Sequence, residues 1–104
     1  MTEPTRIRAQ AQANGSALVR VLMSHDMESG QRRDDAGRLV PARHINEVNV
    51  TLNGRHVLRV FTGTGVSKNP FLQFTLKGAK AGDRIGLAWV DTAGARRQDE
   101  AVIA

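Results

Sequence analysis

The feature that most constrains the fold is an alternation of apolar and polar residues with a period of two, which recurs along most of the chain. In residues 71–77, for example, Leu72, Phe74 and Leu76 alternate with polar residues, and residues 84–91 alternate in the same way. Successive side chains of a β-strand point to opposite faces, whereas a helical face repeats every 3.6 residues. The alternation therefore predicts strands with one buried face, and no segment has helical periodicity with helix caps.

A hairpin signal lies in the middle of the chain, where Asn53-Gly54 separates two segments of strand-like residues. A type I′ turn needs positive φ at both central positions, and Asn followed by Gly tolerates this best. The dipeptide therefore predicts that the strands before and after it pair with each other and that their register is set by a two-residue turn.

Seven strands are predicted, with turn residues between them. They cover residues 5–13, 17–24, 43–52, 55–61, 71–77, 84–91 and 95–103. Seven short strands in about 100 residues indicate an all-β, immunoglobulin-like antiparallel sandwich, although the strands alone do not specify its topology. The apolar residues change parity between Ile45 and Val48, which predicts a β-bulge near Asn46 and Glu47. Trp89 is predicted to lie in the core between the sheets.

The length and the cysteine count limit the classes of protein to consider. A chain of 104 residues fits a single domain, residues 1–104, which can bury a core without metals or disulfides. With no cysteine, the chain has no thiol nucleophile, no thiolate ligand and no disulfide. No stretch approaches the apolar length of a membrane span, and the N-terminus lacks the pattern of a signal peptide, so the residues alone predict a cytoplasmic protein without membrane contact.

The positive charge suggests an anionic partner but does not define a binding site. Fifteen Lys and Arg against ten Asp and Glu give a formal charge of +5. Many of the cations lie beside acids and are predicted to be solvated. Nucleic-acid binding is the natural alternative for a basic domain, but three Phe, one Trp and no Tyr leave few residues for base stacking. We therefore predict no nucleic-acid partner.

Residues that could carry out chemistry are present, but their arrangement does not indicate an active site. His25, His44 and His56 suggest a metal hypothesis, yet their spacing matches no metal motif, and the iron site of immunoglobulin-like superoxide reductases also needs a cysteine. Ser24, His25 and Asp26 are the residue types of a catalytic triad. However, consecutive residues of an extended chain point to opposite sides, and turn formation at the end of a strand explains these residues better than a triad does. We predict no catalytic residue, no metal site and no cofactor.

Two loops have an unusual combination of residues and are candidates for docking to a partner protein. Residues 21–30 read Val-Leu-Met-Ser-His-Asp-Met-Glu-Ser-Gly, and residues 67–71 read Ser-Lys-Asn-Pro-Phe. Both contain flexible or flat apolar side chains among polar ones, as adaptable contact surfaces do. Residues 17–23, apolar on both faces except for Arg20, predict an interior strand or one covered by another chain. The interface candidates are Val19, Val21, Met23, His25, Met27, Arg32, Lys68, Asn69 and Phe71.

These two loops, together with residues 7–10, 41–54 and 88–91, resemble the small-subunit family of the carrier protein in bacterial thiosulfate oxidation, the SoxZ family. The resemblance implies an immunoglobulin-like fold and a subunit that is not an enzyme. It also implies a heterodimer with a larger, SoxY-type subunit, which holds sulfur intermediates on a cysteine at the tip of a flexible arm, and transient docking to sulfur-oxidising enzymes. It further implies a periplasmic location, reached by export together with a partner that carries the signal.

Two other functions remain open from the residues alone. The first is a free-standing immunoglobulin-like adaptor, which would need no thiol-bearing partner. The second is a metal-dependent redox domain, which would bind stoichiometric iron or copper. Of these, the adaptor is the main alternative to a carrier subunit.

Overall fold

The computed structural model describes residues 3–104, which form seven strands. These are β1 (Arg6–Ala11), β2 (Ser16–Leu22), β3 (Ile45–Leu52), β4 (Arg55–Phe61), β5 (Phe71–Lys77), β6 (Arg84–Asp91) and β7 (Arg96–Val102). All seven predicted strands are present, and every observed end lies within two residues of its prediction. Within residues 3–104, no helix is long and apolar enough to span a lipid bilayer.

The strands form two antiparallel sheets that pack face to face. One sheet has the order β1-β2-β5 and the other has the order β4-β3-β6-β7. Placing the first, second and fifth strands opposite the third, sixth and seventh is typical of immunoglobulin-like sandwiches. The prediction of an all-β sandwich is therefore confirmed. The apolar strand β2 is the central strand of its sheet, as its two-sided apolar pattern indicated.

The predicted bulge in β3 is confirmed. The register between β3 and β6 shifts between Ile45 and Glu47, so that Asn46 is the extra residue. As a result, Ile45 and Val48 both lie in the core although they differ in parity. A second shift follows Val50, in the pairing of β3 with β4.

The core lies between the two sheets and contains the inward side chains of the central strands. Its largest fully buried side chains are Trp89, Met23, Ile45, Ile85, Leu87, Ile103, Val19, Val21, Val48 and Val50. Each such side chain contributes roughly 1.5–3 kcal/mol when it leaves water. Trp89 is 2% exposed, which confirms its predicted position.

The two longest connections, residues 23–44 and 62–70, lie at one end of the sandwich, which we call the loop end. β2, β4 and β6 run towards this end, and β3, β5 and β7 start from it. Residues 23–44, 62–70 and 92–95 therefore meet there, whereas the connections 12–15, 53–54 and 78–83 lie at the opposite end. Loops held at one end of a rigid sandwich are common sites of recognition.

Residues 28–43 leave the loop end as a two-stranded excursion, which we call the ribbon. At its base, Glu28 and Arg43 exchange backbone hydrogen bonds of 2.7 and 2.9 Å. Further out, the Val40 N–H donates to the Arg32 carbonyl at 2.8 Å. Strands of six to eight residues span only about 20–27 Å, while the molecule measures 53 × 21 × 20 Å. The ribbon and the other loops therefore extend the sandwich along its strands.

The turn between β3 and β4 has the positive φ angles that Asn53-Gly54 predicts. Asn53 has φ 51° and Gly54 has φ 83°. The Asn53 side chain accepts from the Arg84 N–H at 2.9 Å and donates to the Asp83 carboxylate at 3.1 Å. We expect Asn53→Ala to lower the free energy of unfolding by about 1–2 kcal/mol, because alanine is strained at this φ and makes neither bond.

Chemical denaturation of both Asn53→Ala and Asn53→Gly would check this prediction. Glycine tolerates the positive φ but also lacks the side-chain bonds, so the two variants differ in the backbone strain of alanine and in the greater unfolded-state entropy of glycine. An Asn53→Ala variant that is more stable than Asn53→Gly would contradict a strained turn.

Candidate interaction site at the loop end

The centre of the loop end is His25, whose side chain is 6% exposed. Its ring packs edge-on against Trp89, with 5.3 Å between centroids and an interplanar angle of 86°. The Met27 N–H donates to Nδ1 at 2.9 Å, so Nδ1 is unprotonated and Nε2 carries the proton. Nε2 then donates to Oδ2 of Asp91 at 3.0 Å. Both ring nitrogens are thus occupied, and His25 has no free position for acid-base chemistry.

Asp91 connects three loop-end segments through one buried carboxylate. Oδ2 accepts from His25 and also from Nε of Arg43 at 3.0 Å, while Oδ1 accepts from the Ala93 and Ala95 N–H groups at 2.9 Å. Burial alone would raise the pKa of Asp91, but the bonds from His25, Arg43 and the two backbone groups outweigh it and lower the pKa to about 2. Asp91 is therefore ionised at neutral pH and acts as a structural anchor.

The two loops that stand out in the sequence are joined to each other by two hydrogen bonds between His25 and Asn69. The Asn69 N–H donates to the His25 carbonyl at 2.8 Å, and the His25 N–H donates to Oδ1 of Asn69 at 3.1 Å. Asn69 has φ 54°, a conformation that Asn adopts more readily than most residues. The loops therefore present one continuous surface.

Four of the interface candidates lie in the core of the chain itself. Val19, Val21 and Met23 are 0% exposed, and Met27 is 7% exposed and accepts from the Ile45 N–H through its sulfur at 3.3 Å. In the chain by itself these side chains face the core, and their part in an interface stays a prediction. The parity of β2 directs them inward, so a partner on this sheet would contact the opposite face of β2. Whether a partner binds this sheet stays a prediction.

Three other candidates are well exposed at or near the loop end. Phe71 is 58% exposed on the outer face of β5. The side chains of Arg32 and Lys68 are 60% and 69% exposed. Both cations have acidic neighbours, since Arg32 bonds Glu28 at 2.9 Å and Lys68 lies 3.9 Å from Asp26. Exposed pairs of this kind contribute little to stability and leave the charges available for a partner.

The catalytic and metal hypotheses find no support in this geometry. The partner of His25 is Asp91, while Asp26 lies next to Lys68, so Ser24, His25 and Asp26 form no triad. In the part of the chain that the structure describes, no three His, Asp or Glu side chains are placed to hold a metal ion. His56 lies exposed on β4 and pairs with the Asn49 side chain at 2.9 Å, as expected for a solvent-facing residue.

Asp91 and Arg43 are the residues of this site that sequence reasoning missed. They are 66 and 18 positions away from His25 in the chain, and no local pattern links them. The one available signal is that an acid at position 91 interrupts the apolar residues at the end of β6. An acid at the end of a buried strand commonly fixes the following turn, as Asp91 does here.

Comparisons with known proteins agree on the fold. A superoxide reductase (neelaredoxin) from Ignicoccus hospitalis superimposes with a TM-score of 0.65 at 18% identity, over 98% of this chain and 80% of that one. A hypothetical protein from Pyrococcus horikoshii OT3 gives 0.63 at 14% identity, over 99% and 88%. At these identities the likeness concerns the fold alone.

Sequence comparison gives the family. No curated protein sequence matches the chain at a significant level. The family model described as sulphur oxidation protein SoxZ, however, matches residues 5–102, which is nearly the whole chain and includes both loops of the site. The chain therefore belongs to the SoxZ family and has a role in sulfur oxidation by the Sox system.

Proposed function

We propose that this chain is the non-catalytic subunit of a heterodimeric carrier of sulfur compounds in thiosulfate oxidation. Its partner is a SoxY-type subunit that holds the sulfur intermediates on a cysteine of a flexible arm. The observation that carries the proposal is the combination of SoxZ family membership with a complete lack of cysteine. Covalent transport of sulfur on a protein requires a thiolate nucleophile, so the thiol has to come from another chain.

The geometry of the loop end fits a supporting role. His25 has both ring nitrogens engaged, and Asp91 is held ionised by four donors. Such a network fixes loops in one arrangement and offers no reactive group to a substrate. The exposed side chains around it, including Arg32, Lys68 and Phe71, give pathway enzymes a surface by which to recognise the loaded carrier.

The location of the complex follows from the same proposal. We place it in the periplasm, where the chain arrives already bound to a partner with an export signal. The support for this location is membership of the SoxZ family alone.

The heterodimer and its periplasmic location can both be tested by co-expressing this chain with the candidate thiol-bearing subunit, where that subunit carries its own leader. We expect light scattering to give the mass of a one-to-one heterodimer, and the periplasmic extract to contain this chain only when the partner is co-expressed. The chain expressed alone is the control. A chain that remains monomeric beside the partner would contradict the carrier role and favour a free-standing adaptor.

A further inference from the structure

The two lateral sides of the sandwich differ in how their edges are covered. On one side the C-terminus joins β1, where the Ala11 N–H donates to the Ala104 carbonyl and the Ala104 N–H donates to the Ala9 carbonyl, both at 2.9 Å. Nearby, the Thr5 N–H donates to Asp99 at 2.9 Å and ties β1 to β7. On the other side, β4 pairs only with β3, and β5 only with β2, within residues 3–104. The second side therefore offers two free strand edges.

The hydrogen bonds at either end of the β2–β5 ladder show which backbone groups of β5 are free. The Met23 N–H donates to the Pro70 carbonyl, and the Gly78 N–H donates to the Gly15 carbonyl, both at 2.9 Å. Both bonds join residues that lie directly opposite each other when the β2–β5 register is extended, and they are separated by an even number of residues along each strand. Bonded pairs alternate with non-bonded pairs in an antiparallel ladder, so the intervening bonds use Leu72, Phe74 and Leu76.

The other residues of β5 direct their backbone groups away from β2. These residues are Phe71, Gln73, Thr75 and Lys77. Their N–H and C=O groups form a row of donors and acceptors along the free edge, and such a row is a template for one more strand.

The β4 edge is less suitable for pairing. The register between β3 and β4 shifts after Val50, which places an irregularity inside β4. Bulges twist an edge and interrupt the spacing of its hydrogen bonds. β5, in contrast, keeps one register with β2 through all seven residues, and Pro70 precedes the strand rather than interrupting it. Of the two free edges, the β5 edge is therefore the one with regularly spaced backbone groups.

The charge distribution indicates what kind of chain fits this side. Residues 48–82, which include β4 and β5, contain no Asp or Glu. They contain five Lys and Arg residues, namely Arg55, Arg59, Lys68, Lys77 and Lys80. Two of these cations have acidic neighbours from outside the segment, since Arg59 lies 3.8 Å from Glu47 and Lys68 lies 3.9 Å from Asp26, so the side is basic by less than five charges. Two copies meeting through this side would bring like charges together, whereas an acidic partner would be attracted.

Apolar surface accompanies the edge. Phe71 is 58% exposed, and its neighbour across the ladder on the same outer face, Leu22, is 39% exposed. On the inner face of β5, Leu72, Phe74 and Leu76 pack against the core but remain only partly buried. An added strand would cover side chains on both faces of β5, and this burial adds to the backbone hydrogen bonds.

We propose that the free edge of β5 is the docking edge for the thiol-bearing partner subunit, which adds a strand with acidic side chains next to β5. The added strand bonds to the free backbone groups from Phe71 to Lys77 and extends the β1-β2-β5 sheet to four strands. The inference rests on the proposed heterodimer and names its contact surface. In the unbound chain, the lysines near this edge oppose pairing with a second copy.

A proline substitution can test this edge without disturbing the rest of the fold. Thr75→Pro removes an N–H that points to the free edge and leaves the ladder with β2 intact, because proline is tolerated where the N–H faces solvent. Thr75→Val is the matched control, since it removes the hydroxyl but keeps the N–H. Phe61→Pro places the same change on the β4 edge. There the bond from the Thr62 N–H to the Asn46 carbonyl at 3.1 Å implies that the Phe61 N–H also faces outward.

Isothermal titration of the partner subunit into each variant gives the dissociation constant, after circular dichroism has verified the fold. We expect Thr75→Pro to weaken binding at least 50-fold, and Thr75→Val and Phe61→Pro to stay within about threefold of the wild type. A Thr75→Pro variant that binds as the wild type does, or a larger loss for Phe61→Pro, would overturn the proposal while leaving the heterodimer intact. No binding by the wild type would instead refute the heterodimer.

Amide hydrogen exchange of the wild-type chain tests the same edge without any substitution. We expect the Gln73, Thr75 and Lys77 amides to exchange rapidly in the free chain and at least tenfold more slowly in the complex. Unchanged exchange at these three amides would rule out an added strand on β5. Slow exchange in the free chain that depends on its concentration would identify a second copy as the occupant.

Discussion

Replacing Trp89 by alanine is expected to lower the free energy of unfolding by about 3–5 kcal/mol, the largest effect of any single substitution considered for this chain. Trp89 is 2% exposed and belongs to the central strand pair β3–β6 of its sheet. Its removal leaves a cavity between the sheets and also removes the edge-on contact with His25. Small domains have only about 5–15 kcal/mol of total stability, so the variant will be largely unfolded at moderate denaturant concentrations.

Equilibrium denaturation in urea, followed by far-ultraviolet circular dichroism, measures this effect. Phe61→Ala is the control, because Phe61 is 73% exposed and its removal leaves no cavity. We expect that variant to stay within about 0.5 kcal/mol of the wild type. Similar losses for both substitutions would show that Trp89 does not lie in a closely packed core.

Asp91→Asn is expected to have the second-largest effect and to lower the free energy of unfolding by about 3 kcal/mol. The carboxylate accepts four hydrogen bonds, two of them from the side chains of His25 and Arg43. Asparagine keeps one acceptor oxygen and turns an amide N–H₂ towards donors, which leaves buried groups unpaired. The connections among residues 23–44, β6 and the turn after β6 would then weaken together.

The pH dependence of the wild type gives an independent measure of the same interaction. The pKa of Asp91 is lowered from 3.8 to about 2 in the folded chain. A lowered pKa means that the carboxylate stabilises the fold fully above its unfolded pKa, near pH 4, and that this contribution is lost as the pH falls towards 2. We expect about 2 kcal/mol of the wild-type stability to disappear over this interval.

Denaturation curves at several pH values between 6 and 2 compare wild type, Asp91→Asn and Asp26→Asn. The Asp26 side chain is 79% exposed, so Asp26→Asn should follow the wild type at every pH. The difference in free energy of unfolding between the wild type and Asp91→Asn should become smaller as the pH falls. A constant difference would show that the charge of Asp91 contributes nothing to stability.

The fold of this chain follows from its sequence because the strands carry regular local signals. Alternation located most of the strands, a short apolar run located β2, Asn53-Gly54 located a turn with positive φ, and the parity change after Ile45 located a bulge. Each of these features depends on residues that are adjacent or nearly so. The sequence could therefore predict the fold and most boundaries without information on distant contacts.

The site was less predictable because it depends on long-range contacts. Which face of β2 points inward depends on the sheet that packs against it. Both faces of β2 carry apolar residues, so the sequence could not separate core positions such as Val19, Val21 and Met23 from positions that a partner would cover. The bond between His25 and Asp91 joins residues 66 positions apart. The ribbon is held by backbone bonds between segments without clear alternation, and no local pattern indicates such pairing.

The elongated shape has a practical consequence for mass determination. A compact chain of this length has an expected radius of gyration of about 13 Å, whereas the Cα atoms of this chain give 15.5 Å. An elongated particle diffuses more slowly than a sphere of equal mass and leaves a size-exclusion column early. Elution volume calibrated with globular standards will therefore overstate the mass of the monomer, and subunit stoichiometry has to be determined by a method that does not depend on shape.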